Sequence, residues 1–215
     1  MLPKLQYFAL FLQNLILLYN VLMKKIIFTI LILLGFCGGA FAVNPNQLKD
    51  DGMMLYSVNK INEAKEMFEQ IPEERRDAEV WLLLSNIAQD LQDEQNVEKY
   101  LRLSLEKNPK FYKAYYNLGN IYFNKGNIDE ALKNYKLAAK YNNKNGYIYT
   151  NIGCCYLAKQ NLHLARINFN KAVSLNSQNP TNYYNLAYIC KQKGNTKKAE
   201  ELLKIYNTLM QDRAN

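Results

Sequence analysis

Few side chains in this sequence could do chemistry of their own. One histidine, His163, stands alone. Three cysteines follow residue 42, with Cys154 and Cys155 adjacent and Cys190 apart, and no Cys/His group has zinc-ligand spacing. A solitary histidine at the start of a helical pattern is read as a solvent-facing, inert residue, because acid–base work needs partners held at fixed spacing. No glycine-rich phosphate loop follows a strand pattern, and no strand pattern is evident. No catalytic residue, metal ligand set or cofactor site is therefore expected. What recurs instead is an amide: Asn117, Asn151 and Asn185 stand 34 residues apart, each offering one donor and one acceptor group.

The same interval runs through the apolar residues, which must build whatever positions those amides. Tyr115 maps onto Tyr149 and Tyr183 downstream and onto Trp81 upstream. Leu118 maps onto Ile152, Leu186 and Leu84, and Ala131 onto Ala165, Ala199 and Val97. Within one copy, Trp81, Leu84, Ala88 and Leu91 recur at three- and four-residue steps, so they share a helix face. Asp93-Glu94 and Gly126-Asn127 break the pattern between helices, and Asn108-Pro109 stops one, since proline lacks an amide and disfavours helix just before it. A fixed period of this length predicts stacked helical hairpins.

The copies read Tyr115-x2-Leu118-Gly119-x2-Tyr122 with Ala131-x3-Tyr135, then Tyr149-x2-Ile152-Gly153-x2-Tyr156 with Ala165-x3-Phe169. On these residues the chain resembles a tetratricopeptide repeat (TPR) protein over nearly everything after residue 44. The resemblance implies an all-α, right-handed superhelical solenoid of about five hairpins, at residues 45–77, 78–111, 112–145, 146–179 and 180–212, within a domain spanning 43–215. The first hairpin is degenerate, with Asp51 where the others carry Leu or Ile. The last helix, bearing Lys197, Lys198, Glu200, Glu201 and Lys204, is expected to form a polar, solubilising cap.

In this family the first helix of each hairpin lines a concave groove that holds a peptide or another protein. The resemblance places Asn117, Asn151 and Asn185 in that groove, with Tyr116, Asn120, Phe123 and Asn124 beside them. Tyr147, Thr150 and Cys154 continue it, followed by Tyr184, Tyr188 and Lys191, with Asn86 and Gln89 extending it backwards. The other reading of the asparagines is that they cap helices or bridge within the fold. Tyr122, Tyr135 and Tyr156 are assigned to packing between helices. Family members that grip acidic C-termini of heat-shock chaperones need Lys and Arg in the groove. Here the matching places hold Leu82, Tyr147 and Asn151, so that ligand is not expected.

Cys190 takes the place of a repeat aromatic and is expected to be buried, with Cys155 at the seam with the next repeat. A Cys155–Cys190 bridge is open to them in an oxidising compartment. Buried free thiols are the expected state.

Charge is distributed unevenly. Residues 43–110 carry nine basic and fourteen acidic side chains, a net of −5, whereas 111–215 carry fifteen and five, a net of +10. One reading is a solvated, Lys-rich outer face; the other is a polarised surface that orients a partner. A nucleic-acid-binding repeat is the alternative class. Its phosphate contacts would make binding fall steeply with salt, and the export signal argues against it. No nucleic-acid partner is expected; the expected partner is a protein or peptide, bound by a monomer or homodimer.

The first 42 residues form a hydrophobic targeting segment without an acidic side chain. From Met23 the chain reads Met-Lys-Lys, an apolar run from Ile26 to Phe36, and a small-x-small site at Ala40 and Ala42. That is a signal peptide over 23–42, with cleavage after Ala42 and export to the periplasm or beyond. Met23 is then a candidate initiator. The alternative is an uncleaved anchor that uses Leu5 to Leu22, tying the repeats to the inner membrane as an assembly factor of the cell envelope. Membrane contact is expected only through such an uncleaved N-terminus. A lipid-modified Cys37 is disfavoured by the bulky Phe36 before it.

Overall fold

The computed structural model describes residues 18, 19, 22–26 and 44–212. The targeting segment, its cleavage site and Cys37 fall almost wholly outside the described residues. Among the described residues no helix is long and apolar enough to cross a membrane. Pro45–Asn215 forms a compact unit of its own.

Among the described residues of this unit, ten α-helices and no strand follow Asn44. They are α1 (Pro45–Ser57), α2 (Ile61–Glu69), α3 (Ala78–Asp90), α4 (Glu94–Lys107), α5 (Tyr112–Asn124), α6 (Ile128–Tyr141), α7 (Gly146–Ala158), α8 (Leu162–Leu175), α9 (Pro180–Gln192) and α10 (Thr196–Gln211). Each odd-numbered helix packs on the helix after it, and each even-numbered helix on the start of the next hairpin. The result is an all-α solenoid of five hairpins. A short 3-10 turn, Glu73–Arg75, joins the first hairpin to the second.

The helix starts are written in asparagine and aspartate. Asp77 Oδ1 accepts the amides of Glu79 and Val80 at 2.9 and 2.8 Å, satisfying two of the donors that a helix N-terminus leaves free. Asn127, Asn161 and Asn195 each accept one such amide at second helices, and Asn145 and Asn179 one each at first helices. The hairpin turns use the left-handed region, with Gly126 at φ 74° and Gly194 at φ 75°. The equivalent turns place Asn59, Gln92 and Gln160 there instead, at φ 60°, 59° and 57°.

Between the two helices of a hairpin a small residue faces a large one sixteen positions on. Gly52 meets Phe68, Gly119 meets Tyr135 and Gly153 meets Phe169. Phe68, Tyr135 and Phe169 are buried, as are Ala131, Ala138, Ala165 and Ala172 around them. Where the small residue gains atoms, as at Ser85 and Ala187, the position sixteen on becomes Leu101 or Leu203. Trp81 is buried in the second hairpin with Tyr100 at 5.5 Å and the Arg76 guanidinium 4.9 Å above its ring.

Candidate functional site

The first helices α3, α5, α7 and α9 stand in one row, linked side chain to side chain. Asn117 on α5 donates from Nδ2 to Oδ1 of Asn86 on α3 at 3.2 Å. One repeat later, Asn151 on α7 donates to Oδ1 of Asn120 on α5 at 3.0 Å. The Tyr135 hydroxyl donates to the same Asn120 oxygen at 2.8 Å, and Tyr116 lies beside this network, its ring 5.9 Å from that of Tyr135. Burial holds the Tyr116 hydroxyl above its ordinary pKa, against the opposing effect of its hydrogen bonds with Asn151 and Asn120, so it remains neutral.

These contacts sharpen the expectation for the asparagines. Asn86, Asn117, Asn120 and Asn151 bridge neighbouring repeats, each spending one amide group on the fold and remaining half-buried. The series breaks at Asn185, because Cys154 stands where Asn86 and Asn120 stand. Sequence reading found the 34-residue series but not this pairing. Its signal is an asparagine 31 residues before another, at 86/117 and 120/151.

Thr150 does not face the groove. It is buried at the seam between the fourth and fifth hairpins, where its hydroxyl donates to Asn182 Oδ1 at 2.8 Å. A threonine is too short to reach past α9, unlike the tyrosines at equivalent positions 116 and 184. Leu82 is also buried, in a cluster with Leu101, Ala114 and Leu118, and so lies outside any groove.

The exposed part of the row is aromatic. Tyr147 on α7 is 51% exposed, and Tyr184 and Tyr188, one turn apart on α9, are 53% and 47% exposed. Asn124 is exposed at the end of α5 and Asn185 is half-buried between Tyr184 and Tyr188. Across α5, α7 and α9 there is no carboxylate, while Lys113 and Lys191 supply positive charge. The row is a neutral-to-basic surface of phenol rings and amides.

Sequence profiles of the tetratricopeptide repeat match residues 100–133, 146–179 and 180–204. The chain carries tetratricopeptide repeats. Its fold is shared with solved TPR structures. MamA from Desulfovibrio magneticus RS-1 superposes with a TM-score of 0.68 at 17% identity, covering 82% of this chain and all of that one (100%). Pseudomonas aeruginosa PilF gives a TM-score of 0.69 at 15% identity, covering 76% of this chain and 75% of that chain. MamA of MSR-1 gives 0.62 at 22% identity, with 80% and 98% covered. At these identities the likeness is one of fold. Comparison with the curated proteins finds no sequence match.

Elsewhere the TPR unit holds no group of His, Cys, Asp and Glu able to bind a metal among the described residues. His163 is exposed on the first turn of α8, as its position in the sequence suggested. All three cysteines of the unit are free, so the Cys155–Cys190 bridge is not formed. The two thiols belong to different layers. Cys155 is buried in the cluster of Tyr135, Ile148 and Ile152, facing back to the third repeat. Cys154, not Cys155, shares the following cluster with Cys190, which is half-buried rather than buried. A first helix turns by about 100° per residue, so adjacent residues face different neighbours.

Proposed function

We propose that this TPR protein is a non-catalytic scaffold whose row of first helices holds an extended, neutral or acidic segment of a partner protein outside the cytoplasm. The observation that carries the reading is the set of exposed rings of Tyr147, Tyr184 and Tyr188 on helices without a carboxylate. Tyrosine offers a broad apolar face and a polar tip at small entropic cost, the combination that contact surfaces favour. Asn185 and the remaining amide groups of Asn117 and Asn151 can meet a peptide backbone between the rings. Lys113 and Lys191 favour negative charge in the ligand.

The extracytoplasmic setting is supported by the Lys24-Lys25, apolar run and Ala40-x-Ala42 pattern. A membrane-anchored assembly factor is the second reading, favoured by the additional apolar stretch Leu5 to Leu22. N-terminal sequencing of protein from the native envelope separates them: Val43 at the new terminus supports cleavage, and an intact N-terminus supports the anchor.

The groove is tested by recovering partners on wild-type chain and on Tyr147→Ala/Tyr184→Ala/Tyr188→Ala, with helicity checked by circular dichroism. The expected outcome is loss of the specific partner with helicity unchanged. Equal recovery by both would place the binding surface elsewhere.

A further inference from the structure

The first helix of each hairpin seats on the hairpin before it, and its third, seventh and tenth residues face that junction. In α7 they are Ile148, Ile152 and Cys155, buried in one cluster with Tyr135 and Ala138 of α6. In α9 they are Asn182, Leu186 and Ile189. Leu186 and Ile189 keep the apolar role, clustered with Phe169 of α8. Asn182 departs from it. It is 1% exposed at the position that Val80, Ala114 and Ile148, all buried, fill with hydrocarbon in the three hairpins before it.

The residue that meets this position across the junction changes in step. Leu82 shares a cluster with Ala114, and Tyr116 packs against the cluster that contains Ile148. Between the fourth and fifth hairpins the pair is Thr150 and Asn182, two buried side chains joined by a 2.8 Å hydrogen bond. Buried Asn179 donates to the Thr150 oxygen at 3.4 Å, and its own oxygen accepts the Thr181 amide at 3.2 Å. Asn182 Nδ2 has no acceptor among the described residues. Polar groups that exchange one another for water lose little on exposure, and a buried donor without an acceptor gains by it. Hydrocarbon at the same place resists water.

We propose that the junction between the fourth and fifth hairpins is a hinge of the solenoid. Ala187, Ala199 and Leu202 hold α9 and α10 together as one body, Phe169, Leu186 and Ile189 form the pivot, and the Thr150–Asn182 side parts to admit water. Opening costs less here than at the junctions closed by Leu82 with Ala114 or by Tyr116 with Ile148. The consequence for binding rests on the function proposed above. Tyr147 stands on α7, before the hinge, and Tyr184, Asn185 and Tyr188 stand on α9, beyond it. Hinge motion resets the spacing of these rings, and a segment that grips both sides selects one setting.

The test uses the chain from Val43 to Asn215, whose packed clusters all lie inside the compact unit. NMR relaxation dispersion reads millisecond opening, and residual dipolar couplings fitted separately to α5–α8 and to α9–α10 read faster motion. Wild type is expected to show one exchange process, with a single rate, on both faces of the junction at residues 146–150 and 179–189. Where the motion is faster, it shows instead as lower order in α9–α10 than in α5–α8. Asn182→Val restores hydrocarbon and leaves the Thr150 hydroxyl its other acceptor, the Gly146 carbonyl at 3.2 Å. It should cut the open population at least tenfold and equalise the two orders. Thr150→Val strands the Asn182 amide and should raise the open population. Unchanged circular dichroism shows that both variants keep their helices. A wild-type junction that is rigid by both measurements overturns the proposal. So do unequal rates on the two faces, which mark separate local motions, and an Asn182→Val chain that moves as wild type does. None of these readouts uses the groove tyrosines, so the hinge and the binding surface stand or fall separately.

Discussion

A β-carbon placed on Gly119 would lie 2.5 Å from Cδ1 and Cε1 of Tyr135, so the ring of α6 occupies the space that any other residue on α5 would fill. The hairpin closes because one position has no side chain and its partner has a large one. The expectation is that Gly119→Ala destabilises the protein by about 1–3 kcal/mol through overpacking. Adding Tyr135→Leu should recover part of that loss, since Ser85 with Leu101 and Ala187 with Leu203 are natural solutions of the same space. Urea unfolding of the two single variants and the double closes the cycle. A double variant at the simple sum of the singles would contradict the contact.

Gly126 poses the opposite problem: nothing lies within 4 Å of a β-carbon there, but φ is 74°. Gly126→Ala should therefore cost about 1 kcal/mol from backbone strain alone. At the equivalent turn Gln160 already bears that strain at φ 57°, and Gln160→Gly should be neutral or stabilising by up to about 1 kcal/mol. Thermal melts of both variants check the opposite signs.

Glu98 gives the fold a pH dependence at acid. Hydrogen bonds from the Tyr122 hydroxyl at 2.7 Å and from Arg102 at 2.5 Å hold its carboxyl below the ordinary value of 4.5. The unfolded chain thus takes up the proton first. The stabilisation is present in full above about pH 4.5 and drains away as pH falls through the lower, folded value. Because the cluster is partly solvated, Glu98→Gln should cost about 1 kcal/mol or less at neutral pH, and should flatten the acid limb of stability against pH.

The three thiols of the TPR unit should react unequally. Burial pushes the Cys155 thiol up to about 12, and no solvent reaches it, so alkylation requires the hairpin to open. With iodoacetamide at mild alkaline pH, Cys155 should label at least a hundredfold more slowly than Cys190 (about 2.7 kcal/mol of protection). Peptide mapping by mass spectrometry reads the order, and urea should abolish the difference.

Much of this architecture was legible in the sequence, because it rests on residues whose type is dictated by space. Gly119, Gly153, Ala131 and Ala165 recur at a 34-residue spacing where helices touch. The turn at Gly126-Asn127 was readable for the same reason. The site was less legible. The asparagine series lies along the first helices, but an amide can bridge repeats or meet a ligand with the same atoms. Only coordinates show Asn117 reaching Asn86 and Asn151 reaching Asn120. Thr150 was placed on the wrong side of α7 because position in a repeat was used where side-chain length decided. The last helix was read by its lysines, and the partly exposed Leu203 and Met210 on it went unremarked.

The central claim is that the tyrosine-bearing row of first helices is the working surface. The most direct measurement is to select peptides on the 43–215 chain from a displayed random library, then titrate one selected peptide while following backbone amide shifts by NMR. The account predicts shifts concentrated in α5, α7 and α9 around Tyr147, Tyr184, Asn185 and Tyr188, with affinity lost in the triple tyrosine variant. Shifts confined to α6, α8 and α10, with affinity indifferent to the tyrosines, would contradict it.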